Sequence, residues 1–200
     1  MSKRIVVYNF LVVLLLNVMF SSGSAEERDK WQQPERIIDS LGIRQGMVIG
    51  EVGAGEGYFT LKLAQRVGPS GHIYANDIVQ RVLDQIISEC REKQINNITT
   101  ILGKVEDPLF PPAQLDLVVM MRVFHDLSKP VQLINNIIPA LKPGALLVII
   151  DPDTDKLKKD QKHFYTKNKV LAIMQESKFV LVELLEFLPQ DNIYIYRIKE

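Results

Sequence analysis

Four short stretches of the chain carry the residue types best suited to chemistry. The first is Glu51-Val52-Gly53-Ala54-Gly55-Glu56-Gly57-Tyr58, an acidic residue followed by glycines at every second position. Glycine lets a backbone turn tightly and approach a ligand closely. A helix beginning there offers unpaired N–H groups to an anion such as a carboxylate or phosphate. Such turns also serve ordinary chain reversal. A dinucleotide fingerprint needs G-x-G-x-x-G. Counted from Gly53 and Gly55, its third glycine falls on Tyr58, and that reading fails. The second stretch ends in Asp77, twenty residues beyond Gly57. A carboxylate there can accept hydrogen bonds from both hydroxyls of a ribose. The third is Phe124-His125-Asp126. An imidazole titrates near ~6.5, which suits proton abstraction at neutral pH; His125 could equally order its loop, cap a helix or touch a substrate. The fourth is Asp151-Pro152-Asp153, which could ligate a metal or a substrate amine, or be a solvated helix entry. The three histidines and the single cysteine show no zinc-ligand spacing, so no metal site is expected.

Short apolar runs alternating with helical patterns would position these residues, and that alternation implies βαβ units around a largely parallel sheet. Pro34–Gly42 reads as a short helix with proline in its first turn and glycine at its end. Strands are expected at Met47–Val52, His72–Ala75, Ile98–Leu102 and Leu115–Met121. A helix from Gly57 to about Val67 carries Phe59, Leu63 and Val67 on one stripe, and the next carries Val79, Val82, Ile86 and Cys90. Cys90 therefore reads as a small core hydrophobe. Pro130–Ile138 reads as a helix that Pro139 kinks or ends. Lys142-Pro143-Gly144 reads as a turn into a strand at Ala145–Ile150, whose run without alternation requires cover on both faces. After a helix around Tyr165–Glu176, Phe179–Glu186 and Asn192–Lys199 are joined by so short a link that they must be antiparallel. The expected fold class is α/β, a Rossmann-like three-layer sandwich. Its seven-stranded, mostly parallel sheet ends in a C-terminal antiparallel hairpin.

With these features in place, the sequence resembles the class I S-adenosylmethionine-dependent methyltransferases over essentially all of Trp31–Glu200. The E-x-G-x-G-x-G turn, Asp77, the Gly103–Pro108 segment, Leu115–Val119, Leu141–Gly144 and the terminal hairpin carry the resemblance in order. It implies S-adenosylmethionine as cofactor, held by Glu51, Gly53, Ala54, Gly55, Gly57, Tyr58, Asp77, Ile78 and Val105, with an adenine contact from Glu106 or Asp107. Many relatives have Asp where this chain has Lys104, which cannot accept a hydrogen bond; the contact therefore moves to one of those two carboxylates. The amino-group motif of nucleic-acid methyltransferases is absent after strand four, where Met121-Arg122-Val123-Phe124 stands. The expected activity is direct methyl transfer to a small-molecule acceptor, with His125 as the candidate base and Gly53–Tyr58, Arg122–Leu127 and Asp151–Asp155 around the methyl group. The alternative is an exported cofactor- or ligand-binding protein that kept the fold without turnover.

Composition narrows the partners. The chain has 200 residues, with 24 basic and 24 acidic groups and therefore no formal net charge. That balance argues against a nucleic-acid binder driven by bulk electrostatics. Lone Cys90 excludes an intrachain disulfide scaffold. Lys3 and Arg4, the uncharged apolar run Ile5–Phe20 and the small residues Ser21–Ala25 have the layout of a secretory signal peptide. The run is shorter than the ~20 residues a spanning helix needs. The expected organisation is thus a signal peptide at 1–25 and a methyltransferase domain at 26–200. The product would be exported, periplasmic or secreted, and anchored only if uncleaved. The chain is similar in its recurring pieces to small bacterial methyltransferases with an export signal. The basic run Lys156–Lys169 reads as a solvated helix face or an entry for an anionic substrate. The sequence sets no oligomeric state.

Overall fold

The computed structural model describes residues 26–157 and 163–199. The chain divides into two units, Met1–Gln33 and Pro34–Glu200. In the first, residues 26–32 are helical (α1), with Lys30 paired to Glu27 one turn earlier at 2.8 Å.

The second unit is built on one seven-stranded sheet. Its strands are β1 (Val48–Val52), β2 (His72–Asp77), β3 (Ile98–Leu102), β4 (Leu115–Met121), β5 (Leu141–Pro152), β6 (Phe179–Leu185) and β7 (Asp191–Ile198). They lie in the order β3-β2-β1-β4-β5-β7-β6. All neighbours are parallel except β7, which runs antiparallel to both β5 and β6. The chain moves outward from β1 to β3, then returns to place β4 on the other side of β1. That reversal opens a crevice at the carboxyl ends of β1 and β4, where ligands of such sheets bind.

Helices α2 (Pro34–Ser40), α3 (Tyr58–Val67), α4 (Gln80–Lys93), α5 (Pro130–Ile137) and α6 (Lys167–Gln175) complete the unit. Strand β4 shows why both sheet faces must be covered. Val118 and Met120 join one core with Leu133, Ile137 and Tyr194, whereas Leu117, Val119 and Met121 join another with Ile37, Phe59 and Leu63. The expected α3 stripe of Phe59, Leu63 and Val67 is buried.

Three local expectations are revised. Strand β5 begins at Leu141, before the Lys142-Pro143-Gly144 turn. The register jumps from Leu115↔Leu141 to Leu117↔Leu146, so the turn is an irregularity inside the strand. The buried stripe of α4 is Val82, Leu83 and Ile86; Val79 precedes the helix in extended conformation and is exposed. Cys90 is half-buried and packs beside Ala54, Ala75, Leu83 and Ile86 instead of being enclosed.

The expected exported location is also corrected. No helix among the described residues is long and apolar enough to cross a membrane, and no feature of the fold points to export or cleavage. The segment on which that expectation stood, residues 1–25, lies outside the described residues.

Candidate functional site

The glycine-rich turn links the end of β1 to α3. Gly53, Gly55 and Gly57 all have positive φ, at 73°, 54° and 87°. Side chains rarely adopt that conformation, which explains alternate glycines. A Cβ at Gly53 would lie 2.5 Å from Val123 Cγ2, and one at Gly57 would lie 2.9 Å from Ile86 Cγ1. A Cβ at Gly55 would meet nothing within 4 Å. Two glycines therefore allow close packing within the protein, while the middle one faces open space. Gly53 and Ala54 donate their backbone N–H groups to the Asn76 carbonyl at 2.8 and 2.9 Å. Glu51 is buried behind the turn and accepts a hydrogen bond from Thr60 on α3 at 2.5 Å. No side chain caps the start of α3.

Asp77 closes the turn. Its carboxylate accepts the Gly55 N–H and the Val79 N–H, each at 3.0 Å. A carboxylate has about four lone-pair sites, so hydroxyl donors can still be accepted. Around Asp77, Ile78 is 56% and Val105 43% exposed, with Leu102 and Leu109 similarly open. Large apolar side chains left exposed close together in sequence are unusual enough to mark a candidate contact surface. Beyond β3, Lys104 and Asp107 pair through their backbones in a tight turn. The two carboxylates there have different partners. Asp107 accepts the Leu109 N–H at 2.9 Å, whereas Glu106 lies 3.9 Å from Lys129 Nζ.

The ends of β4 and β5 build the other half of the crevice. Val123 touches Gly53, and His125 two residues later is buried, its Nδ1 2.9 and 3.1 Å from the Asp151 carboxylate oxygens at the end of β5. The structure thus joins the three expected loops in series. Asp151 is fully enclosed. Burial pushes its carboxyl above the usual carboxylate range, and the His125 ring beside it pulls the other way. The His125 ring packs edge-on against Phe164. Arg122, at φ 57°, pairs with the enclosed Asp191 at the start of β7. Burial pushes the Asp191 carboxyl up to about 6, and the Arg122 charge opposes that shift.

Several sequence readings change here. Asp151 and Asp153 are not a solvated helix entry, since both are buried. Asp153 accepts from Asn192 Nδ2 at 2.7 Å and from the N–H of Lys167, the first residue of α6, at 3.3 Å. Lys156 is tied to the carbonyls of Glu186, Leu188 and Asp191, and Lys167 pairs with Glu186. Neither is part of a free basic face; Lys158, Lys159 and Lys162 lie outside the described residues. Sequence reasoning also missed Asp151 as the partner of His125. A charged residue ending an otherwise apolar central strand was the available signal. His163 lies edge-on to His125 with ring centroids 5.0 Å apart.

A crevice at the switch point, a glycine turn bonded to an acidic β2 terminus and a terminal antiparallel hairpin define the class I S-adenosylmethionine-dependent methyltransferase fold. Residues 43–190 match the family described as methyltransferase domain, and the chain belongs to that family. The cofactor of the class is S-adenosylmethionine, and the open cradle at Gly55, the Asp77 carboxylate and the exposed Ile78 and Val105 fit it.

The chain is similar to a protein-L-isoaspartate O-methyltransferase of Methanothrix thermoacetophila. The two are 29% identical over 56% of this chain and 51% of that protein. It is also similar to a ubiquinone/menaquinone biosynthesis C-methyltransferase of Pasteurella multocida, at 27% identity over 78% of this chain and 62% of that protein. The chain thus spans between half and two thirds of the length of these relatives. Among solved structures, a SAM-dependent methyltransferase from Aquifex aeolicus superposes with a TM-score of 0.76 and 23% identity. It covers 82% of this chain and 89% of that one, a likeness of fold.

Proposed function

We propose that this chain transfers a methyl group from S-adenosylmethionine to a small molecule that must lose a proton to react. The observation carrying this reading is the pairing of an Asp77-closed glycine turn with a buried His125–Asp151 dyad across one crevice. When bound, the cofactor supplies a methyl group already activated on a sulfonium, so the protein has mainly to align a nucleophile in a dry site.

Asp77 accepts the ribose hydroxyls, Ile78 and Val105 clamp the adenine, and Glu106 or Asp107 takes its amino group. Gly53–Tyr58 pass close to the remainder of the cofactor, with Glu51 anchoring the turn to α3. His125 takes the acceptor's proton at Nε2 while Asp151 holds the Nδ1–H. A carboxylate in that position fixes the tautomer and steadies the imidazolium that forms. O–H acids and acidic C–H acceptors both fit this arrangement, since each must give up a proton to a positioned base.

Calorimetry with S-adenosylhomocysteine tests the cofactor half. Wild-type chain should bind saturably, and Asp77→Ala should lose about 100-fold in affinity, or ~3 kcal/mol for two hydroxyl bonds to a charged group. Equal affinity in the variant would remove the ribose assignment.

A further inference from the structure

His125, Asp126 and His163 each present a ligand atom within 4.8 Å of the others. The Asp126 carboxylate bridges the two rings. One oxygen is 2.9 Å from His163 Nε2, and the other is 3.4 Å from His125 Nε2. We propose that these three side chains form a binding site for a divalent transition cation of the zinc type.

The chemistry of the donors supports a cation over a plain ion-pair cluster. The His125 Nδ1 faces the Asp151 carboxylate at 2.9 Å, so its proton is placed there and the Nε2 lone pair is turned toward Asp126 and His163. A metal-bound histidine is typically oriented by such a carboxylate on its far nitrogen. The donor set is two imidazoles and one carboxylate, the combination that suits zinc, iron, cobalt or nickel. It offers only one oxygen group and so is poor for calcium or magnesium. A tetrahedral ion with bonds of about 2.0–2.1 Å holds its ligand atoms ~3.3 Å apart. Reaching that spacing takes only rotamer adjustment of Asp126 and His163, both more than half exposed. The buried His125 stays fixed by Asp151 and Phe164. Three protein ligands leave a fourth position for water or a ligand from solution.

No ligand spacing in the sequence announces this site. His125 and Asp126 come from the loop after β4, and His163 comes from the segment before α6. The ion would occupy the Nε2 atom that the proposed function uses for proton transfer, so the two are alternative states of His125.

The test uses the full chain without an affinity tag, in the absence of cofactor and acceptor. Co²⁺ is the optical probe and Zn²⁺ the calorimetric one. Expected is one equivalent of either cation per chain, with a visible d–d band for Co²⁺. Asp126→Asn and His163→Ala should each weaken binding at least tenfold without lowering thermal stability, because both side chains are exposed. His72→Ala, remote from the cluster, should bind as wild type. Asp151→Asn should weaken binding by about 10–100-fold, acting through the orientation of His125. The proposal is overturned if no stoichiometric binding occurs, or if Asp126→Asn and His163→Ala bind as tightly as wild type. Because binding is read without methyl transfer, failure here leaves the methyl-transfer reading intact, and failure of S-adenosylhomocysteine binding leaves this one intact.

Discussion

The two halves of the crevice are built by different means. At the ends of β1 and β2 the work is done by backbone. Three left-handed glycines shape the turn, and Asp77 binds it through the Gly55 and Val79 N–H groups. At the ends of β4 and β5 it is done by buried side chains. His125 pairs with Asp151 and Arg122 with Asp191, each partner contributed by a different strand end. A backbone-shaped half depends on residues close in sequence and tolerates few substitutions at its turn. A half built from side-chain pairs depends on strand order, and its charges are exposed to the cost of burial. The difference fits the proposed function, in which one half would hold the constant cofactor and the other a variable acceptor.

The largest test of this contrast is turnover. With catechol as a probe acceptor, His125→Gln and Asp151→Asn should each reduce kcat by about 10²–10⁴, the usual range for a positioned base and its orienting carboxylate. The calorimetric Kd for S-adenosylhomocysteine should change little beside the loss in Asp77→Ala. Loss of cofactor affinity in Asp151→Asn would mean that the halves are not separable.

A stability effect should follow in the backbone-built half. Gly53→Ala places a methyl 2.5 Å from Val123 Cγ2 at a φ of 73°. It should destabilise the fold by about 2–4 kcal/mol, combining left-handed strain with overpacking. Denaturant unfolding reads this directly.

The side-chain half should show its own pH signature. Asp191 has a carboxyl pushed from 3.8 up to about 6 by burial, against the pull of Arg122. Such a group holds its proton more tightly when folded. Its contribution favours the fold below the unfolded pKa and is lost as pH rises through about 6. Asp191→Asn should flatten the stability-against-pH curve between those values, a change on the order of 1–3 kcal/mol. The slope of that curve, measured by denaturation at several pH values, is the readout; an unchanged slope would mean that another group titrates there.

The smallest effect is expected from Gly55→Ala. Its φ of 54° costs strain but its Cβ meets nothing, so stability should fall by only ~1 kcal/mol. The comparison with Gly53→Ala separates conformational strain from packing. Cofactor affinity should still drop, because the added methyl enters the open side of the turn.

Legibility followed the same division. The turn at Glu51–Tyr58 and the strand end at Asp77 could be read because turn chemistry and strand ends are local, and the structure bonds Gly55 of that turn to Asp77. The β6–β7 hairpin was legible for the same reason, since a short link leaves no room for a crossover. The solvated reading of Asp153 and Lys156 fails because their partners, Asn192 and the carbonyls around Leu188, arrive from the far end of the chain.

The sequence alone determined the class of fold and the glycine-rich turn at the end of β1. Alternating apolar runs, alternate glycines and one acidic strand end act over a few residues each. Only the tertiary structure decided what surrounds His125. Strand β5 lies beside β4 and brings Asp151 to one ring nitrogen, and the approach to α6 brings His163 beside the carboxylate that faces the other. Those contacts depend on sheet order and on burial, which no spacing in the chain records.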